Sequence, residues 1–162
     1  MTRKQLKTAL HYNPKTGTFT WRVNGLNQHQ REGKQAGCPT PDGRFVIGIR
    51  GKRYLASRLA VFYMTGRWPR NQVDHINCDA ADNRWCNLRQ ATSSQNLHNM
   101  RIKNNKVGLK GVVLCTYTGR YRARIRVGYR NVHLGRFDTP EEAHAAYVVA
   151  AKKYFGEFAR AK

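Results

Sequence analysis

The chain has 162 residues, enough for one large domain or two small ones, and its 30 Lys and Arg against nine Asp and Glu give a formal charge of +21. At 40% hydrophobic and 10% aromatic residues, this is the composition of a folded protein and not of a basic tail. Such a charge repels itself and asks for a polyanionic partner, nucleic acid first and an anionic membrane surface second.

No run approaches the roughly 18 apolar residues of a membrane span, and Met1-Thr2-Arg3-Lys4 leads into no apolar signal core. A cytoplasmic protein without a membrane partner is expected. The cysteines at 38, 78, 86 and 115 form no Cys-x-x-Cys pair, so reduced thiols are expected and a four-thiolate zinc knuckle is not.

Residues 1–55 read as short strands joined by turns. Thr18-Phe19-Thr20-Trp21 alternates after a Pro14–Gly17 turn, and Phe45–Ile49 follows Asp42-Gly43. Leu59, Ala60, Phe62 and Tyr63 then recur at helical spacing, between Ser57 as a possible start and Gly66 as a stop. Core packing is the expectation for the aromatics of this scaffold. From Gln72 the pattern changes to a strand (Val73 to Ile76), a polar loop and a second strand (Leu88 to Ala91). Thr92 and Gln95 fit a helix capping box, which places Asn96 in the helix's first turns.

Residues 101–109 are basic and without period, and read as a flexible linker. Val112–Leu114, Tyr121–Val127 and Val132–Phe137 read as strands, joined by turns at Thr118-Gly119 and Gly128 to Arg130 that suit antiparallel hairpins. Thr139-Pro140-Glu141-Glu142 supplies an N-cap, a proline at the first helical position and a capping box. The helix that follows carries Ala143, Ala146, Tyr147, Ala150 and Tyr154 on one face and stops at Gly156. The fold class expected is α+β: an N-terminal region at 1–100 with a strand–loop–strand–helix unit near 72–100, the linker, and a three-stranded antiparallel sheet packed on one helix at 110–162.

The densest group of chemistry-bearing residues is Asp74, His75, Asn87, Asn96, His98 and Asn99. Hydrolysing a phosphodiester takes a base for water and a cation for the developing charge. His75, with an unperturbed pKa near ~6.5, suits the base. Asp74 and the Asn96 carbonyl are hard oxygen donors. Two protein donors leave most of a divalent shell to phosphate and water, as Mg²⁺ prefers. Mg²⁺ is the expected cofactor, with Mn²⁺ as the alternative.

These residues carry a resemblance. Val73-Asp74-His75-Ile76, then Asp82-Asn83-Arg84-x-x-Asn87-Leu88-Arg89-x-Ala91-Thr92-x-x-Gln95-Asn96-x-x-Asn99, is similar to the HNH endonuclease family, in its phage and homing form. The resemblance implies a ββα-metal fold, His75 as general base, and Asp74 and Asn96 as ligands of one divalent ion. It also implies that Asn87 hydrogen-bonds backbone to hold the loop, and that His98 and Asn99 flank the ion position or the DNA. Tyr12-Asn13-Pro14-x-x-Gly17-x-Phe19-x-Trp21, and Tyr54-Leu55-Ala56-x-Arg58-Leu59-Ala60 through Gly66-x-Trp68-Pro69, resemble the N-terminal part of such enzymes, except that Ser57 stands where His is common. A phage or mobile-element origin, and a host-cell cytoplasm, rest on this resemblance.

Between Asp82 and Asp138 no acidic residue occurs. Arg120, Arg122, Arg124 and Arg126 alternate with Tyr121, Ala123, Ile125 and Val127, so one face of that strand is expected to be apolar and the other guanidinium. Lys110-Gly111-Val112, Tyr121 to Arg126, and Val132-x-Leu134-Gly135-x-Phe137-Asp138-Thr139 through Ala143 resemble the AP2 DNA-binding domain. The resemblance implies a sheet lying in the major groove, where Arg can read guanine O6 and N7. Arg124 and His133 replace an acidic residue and Trp of the plant pattern, so the plant target does not carry over. Lys110, Arg120, Arg122, Arg124, Arg126, Arg130 and His133 are the expected DNA-binding residues. The function expected is metal-dependent cleavage of double-stranded DNA, with the second module tethering the first to its substrate and raising its effective concentration. No protein partner is indicated. The alternatives are a DNA-binding regulator with an inactive centre and an RNA-associated basic protein.

Overall fold

The chain opens on a helix. In the computed structural model, which describes residues 1–22, 32–99 and 105–159, the Gln5 N–H donates to the Thr2 hydroxyl while the Thr2 N–H donates to the Gln5 side chain. This reciprocal cap starts α1, Arg3–Ala9. The expectation of strands throughout 1–55 is corrected at this point: the Thr-x-x-Gln signature that marks the helix after residue 92 stands at the N-terminus as well.

Contacts divide the chain into two compact units, Met1–Ala91 and Thr92–Lys162. In the first, β1 (Leu10–Tyr12) pairs antiparallel with β2 (Phe19–Trp21), setting Tyr12 opposite Phe19. β3 (Cys38–Pro39), β4 (Phe45–Ile49) and β5 (Lys52–Leu55) form an antiparallel sheet in that order. β5 runs straight into α2 (Ala56–Thr65), which Gly66 ends in the left-handed conformation. The helix thus begins one residue before Ser57, which is buried inside it at 7% exposure. Leu6, Leu10, Tyr12, Phe19, Ile47, Leu59 and Phe62 make the core. The Arg58 guanidinium of α2 donates to the carbonyls of Pro69 and Asn71, both at 2.9 Å, and so steers the chain into β6 (Gln72–His75). β6 pairs antiparallel with β7 (Leu88–Ala91).

The second unit starts with α3 (Ser93–Asn99). The Gln95 N–H donates to the Thr92 hydroxyl and the Thr92 N–H to the Gln95 side chain, the capping box read from the sequence. β8 (Val112–Leu114), β9 (Tyr121–Val127) and β10 (Arg130–Phe137) form an antiparallel sheet in the order β10-β9-β8. α4 (Pro140–Phe155) is capped by Thr139, whose hydroxyl accepts from the Glu142 N–H. Val112, Ala123 and Ile125 of the sheet are buried with Ala143, Tyr147, Ala150 and Ala151 of α4. Fully burying a side chain the size of Ile125 contributes about 1.5–3 kcal/mol. Tyr154, which spacing sets on the inner face, is 44% exposed; Phe155 packs against the cluster instead.

Gly111 lies in the left-handed region (φ +79), and a Cβ there would meet the Tyr147 ring at 2.0 Å, so sheet and helix approach as closely as only glycine allows. Residues 101–104 of the expected linker lie outside the described residues. Asn105 is structured: its side chain donates to the Val112 carbonyl at 3.0 Å, and Val107 and Leu109 pack against Val112, Ala123 and Ala143. Among the described residues no helix is long and apolar enough to cross a membrane.

Candidate functional site

Strand alternation places Asp74 and His75 on opposite faces of β6, Asp74 buried and His75 half-buried. Register sets Arg89 of β7 directly opposite Asp74. The Arg89 Nε donates to Asp74 Oδ2 at 2.8 Å, with the two side chains only 13% and 5% exposed. Asp74 is therefore held by a guanidinium, a partner that the sequence reading did not assign. On the other face His75 Nε2 lies 3.2 Å from Asn83 Oδ1.

The loop between the strands is tied by Asn87, which is buried at 6% exposure. Its Oδ1 accepts from the Asn77 N–H at 3.0 Å, and its Nδ2 donates to the Asp82 carbonyl at 2.8 Å and to Asn77 Oδ1 at 2.9 Å. The Ile76 N–H donates to the Asn87 carbonyl, 2.9 Å away. Asp82 accepts from Arg84 Nε at 2.8 Å and from Asn77 Nδ2 at 2.8 Å. The Arg84 guanidinium holds the Asp82 carboxyl down to about 2.

The N-terminal hairpin supports the same loop. The Tyr12 hydroxyl donates to the Asn83 carbonyl at 2.7 Å, and the Trp85 N–H donates to the Pro14 carbonyl at 2.9 Å. A Cβ on Gly17 (φ +76) would sit 2.4 Å from Asn83 C and Arg84 N. Burial pushes the Tyr12 phenol pKa well up. Tyr12 and Phe19 do pack in the core, as read from sequence, but Tyr12 also ends on the loop that faces His75. Asn83 stood in the quoted motif run without a role, which was the one available signal for it.

Asn96 lies on α3, half-buried, its N–H donating to the Thr92 carbonyl at 3.0 Å. Asn99 is buried at 6% exposure. The His98 side chain, Arg101 and Lys103 lie outside the described residues. No group of three or more His, Cys, Asp or Glu that could hold a metal occurs among the described residues. The donors at issue are of another kind: the Asp74 carboxylate and the Asn96 amide oxygen are both hard oxygen donors and fit a divalent ion chemically.

In the second unit Arg122, Arg124 and Arg126 are exposed while Ala123 and Ile125 are buried, the alternation expected. Register pairs Arg122 with Arg136, Arg124 with His133 and Arg126 with Asn131. Directly paired residues share a face, so Arg122 and Arg136 form a like-charge cross-strand pair, which is destabilising on its own. Arg136 arrives there through the irregularity between His133 and Gly135; one extra residue reverses which face the strand presents. No local pattern signals it. Two expected members of the face differ. Arg120 precedes β9 and pairs with Asp138 at 2.7 Å. Arg130 stands opposite Val127, on the parity of the apolar face, although exposed at the turn. Lys110 is half-buried, with its carbonyl 3.0 Å from His144 Nδ1.

Two comparisons with known proteins bear on the chain. Over 110 residues, 67% of the chain is 30% identical to an uncharacterized HNH endonuclease of Acanthamoeba polyphaga mimivirus, and the chain spans 57% of that protein's length. Residues 54–98 match the family model described as HNH endonuclease, a stretch that runs from β5 into α3 and takes in Asp74, His75, Asn87 and Asn96.

Proposed function

We propose that the protein is a divalent-metal-dependent endonuclease that hydrolyses phosphodiester bonds in double-stranded DNA, with its C-terminal sheet binding DNA. The observation that carries this reading is the family match over 54–98, whose residues include an imidazole on β6 facing a loop closed by Asn87. His75 takes the proton from the attacking water. Asn87 holds the loop against the strands. Asp74 and Asn96 would hold the ion, so that Asp74 serves both that cation and Arg89; when bound, the ion supplies positive charge to the scissile phosphate and its leaving oxygen. A domain division into a nuclease region at 1–100 and a DNA module at 110–162, with a tether between, belongs to the same proposal, as does an AP2-like use of the sheet. The paired arginines of β9 and β10 support it, because phosphates relieve their mutual repulsion.

A second reading, a DNA-binding regulator with an inactive centre, is favoured by one observation: Asp74 is 5% exposed and already ion-paired to Arg89. Plasmid incubated with the protein, with and without Mg²⁺ or Mn²⁺, separates the two. Metal-dependent nicks or linear product that disappear in His75→Ala, with DNA affinity kept, are expected of the nuclease. Binding without cutting under every metal condition would leave the regulator.

A further inference from the structure

We infer that Asn83 is the positioning residue of His75, and that the turn of the N-terminal hairpin holds Asn83 in place; this rests on the endonuclease reading of the same site. Asn83 is 4% exposed, and its polar groups are engaged on three sides. Oδ1 faces His75 Nε2 at 3.2 Å, Nδ2 donates to the Ala81 carbonyl at 3.1 Å, and the main-chain carbonyl accepts from Tyr12 at 2.7 Å. Turning the amide over would set Oδ1 against the Ala81 carbonyl, two acceptors face to face. Oδ1 is therefore the atom that meets the ring, and its partner is an imidazole carrying its proton on Nε2, which puts the ring's lone pair on Nδ1.

The brace behind Asn83 covers three consecutive residues. Tyr12 holds the carbonyl of Asn83, Gly17 lies against the Asn83–Arg84 peptide, and Pro14 accepts from Trp85. Tyr12 and Phe19 anchor the hairpin in the core at 2% exposure each, so the turn rests on rigid elements. A buried amide carried on such a support fixes the ring's orientation without touching DNA itself.

Two measurements test this. The first is the ring ¹⁵N spectrum of His75 in the whole chain, assigned by its absence in His75→Ala and taken at a pH where the imidazole is neutral. A single tautomer with the proton on Nε2 is expected, becoming a mixture in Asn83→Ala. The second is steady-state cleavage. Asn83→Ala should lower kcat by about 10–100-fold with KM unchanged, the size expected of a misplaced catalytic group, and Tyr12→Phe should lower kcat less, again at constant KM. If Asn83→Ala does not fold, the wild-type spectrum and Tyr12→Phe decide. A proton on Nδ1 in the wild type, or an unchanged kcat in a folded Asn83→Ala, overturns the inference while leaving an active nuclease. A wild type that never cuts DNA overturns the endonuclease reading, and the spectrum still judges the Asn83–His75 contact.

Discussion

Arg89 is an ordinary surface residue by type, and its register makes it a largely covered one, against a buried carboxylate. Facing Asp74 across the β6–β7 ladder, it is 13% exposed and ion-paired at 2.8 Å. Removing one partner of a buried pair typically costs about 3–5 kcal/mol, whereas an exposed pair contributes about 0–1. Arg89→Met is accordingly expected to lower unfolding stability by the larger amount in urea titrations, and a loss below about 1 kcal/mol would mean that Asp74 does not depend on this guanidinium. Asp82 lends itself to a pH test. Arg84 holds its carboxyl down to about 2 in the folded chain, below the unfolded value near ~3.9. A depressed carboxylate stabilises the fold fully above its unfolded pKa, and the contribution disappears as pH falls through the folded value. Thermal unfolding of the wild type should thus lose stability between about pH 4 and pH 2, and Asp82→Asn should lose less over that window. Equal acid loss in both proteins would count against the Arg84 pair.

At the scale of elements, helix ends and strand alternation could be read directly, because both depend on neighbours in sequence. Thr92 with Gln95 forms its box, and Thr139, whose hydroxyl accepts from the Glu142 N–H, and Gly66 cap where their types predict. Thr139→Ala should cost about 1 kcal/mol of stability, the usual loss for an N-cap, measurable by denaturant midpoint. The helix at Arg3–Ala9, not expected from the sequence, obeys the same rule, with Thr2 and Gln5 as its reciprocal cap. The arginine face was legible along β9 but not across to β10. Period two assigns Arg130 and Arg136 to one face, and both are even-numbered; the irregularity between His133 and Gly135 separates them. Affinity titrations over a salt series check the consequence. Arg136→Ala should reduce the slope of log affinity against log salt by about 1, while Arg130→Ala leaves it unchanged. The reverse pattern would put the binding face elsewhere.

For the whole molecule, +21 of formal charge in 162 residues would make the proposed association with nucleic acid largely electrostatic. If 6–10 phosphates are engaged, affinity for a DNA duplex should fall by about 10³–10⁵ between roughly 50 and 200 mM salt. Fluorescence anisotropy across that range provides the measurement. A shallow dependence would mean that the basic sheet is scaffold. Composition and charge, the periodicities of β9 and α4, and most helix caps were determined by the sequence alone, since each is a property of residues within a few positions of one another. So was the choice of Asp74, His75, Asn87 and Asn96 as candidates, because spacing and residue type carry that pattern. Only tertiary structure decided that Tyr12 reaches a loop 71 residues away, that Arg89 meets Asp74, and that Arg136 joins the arginine face. Those outcomes follow from register and from which surfaces pack together, and hydrogen-bonding groups of the same type are too common along the chain for any local rule to say which pair will meet.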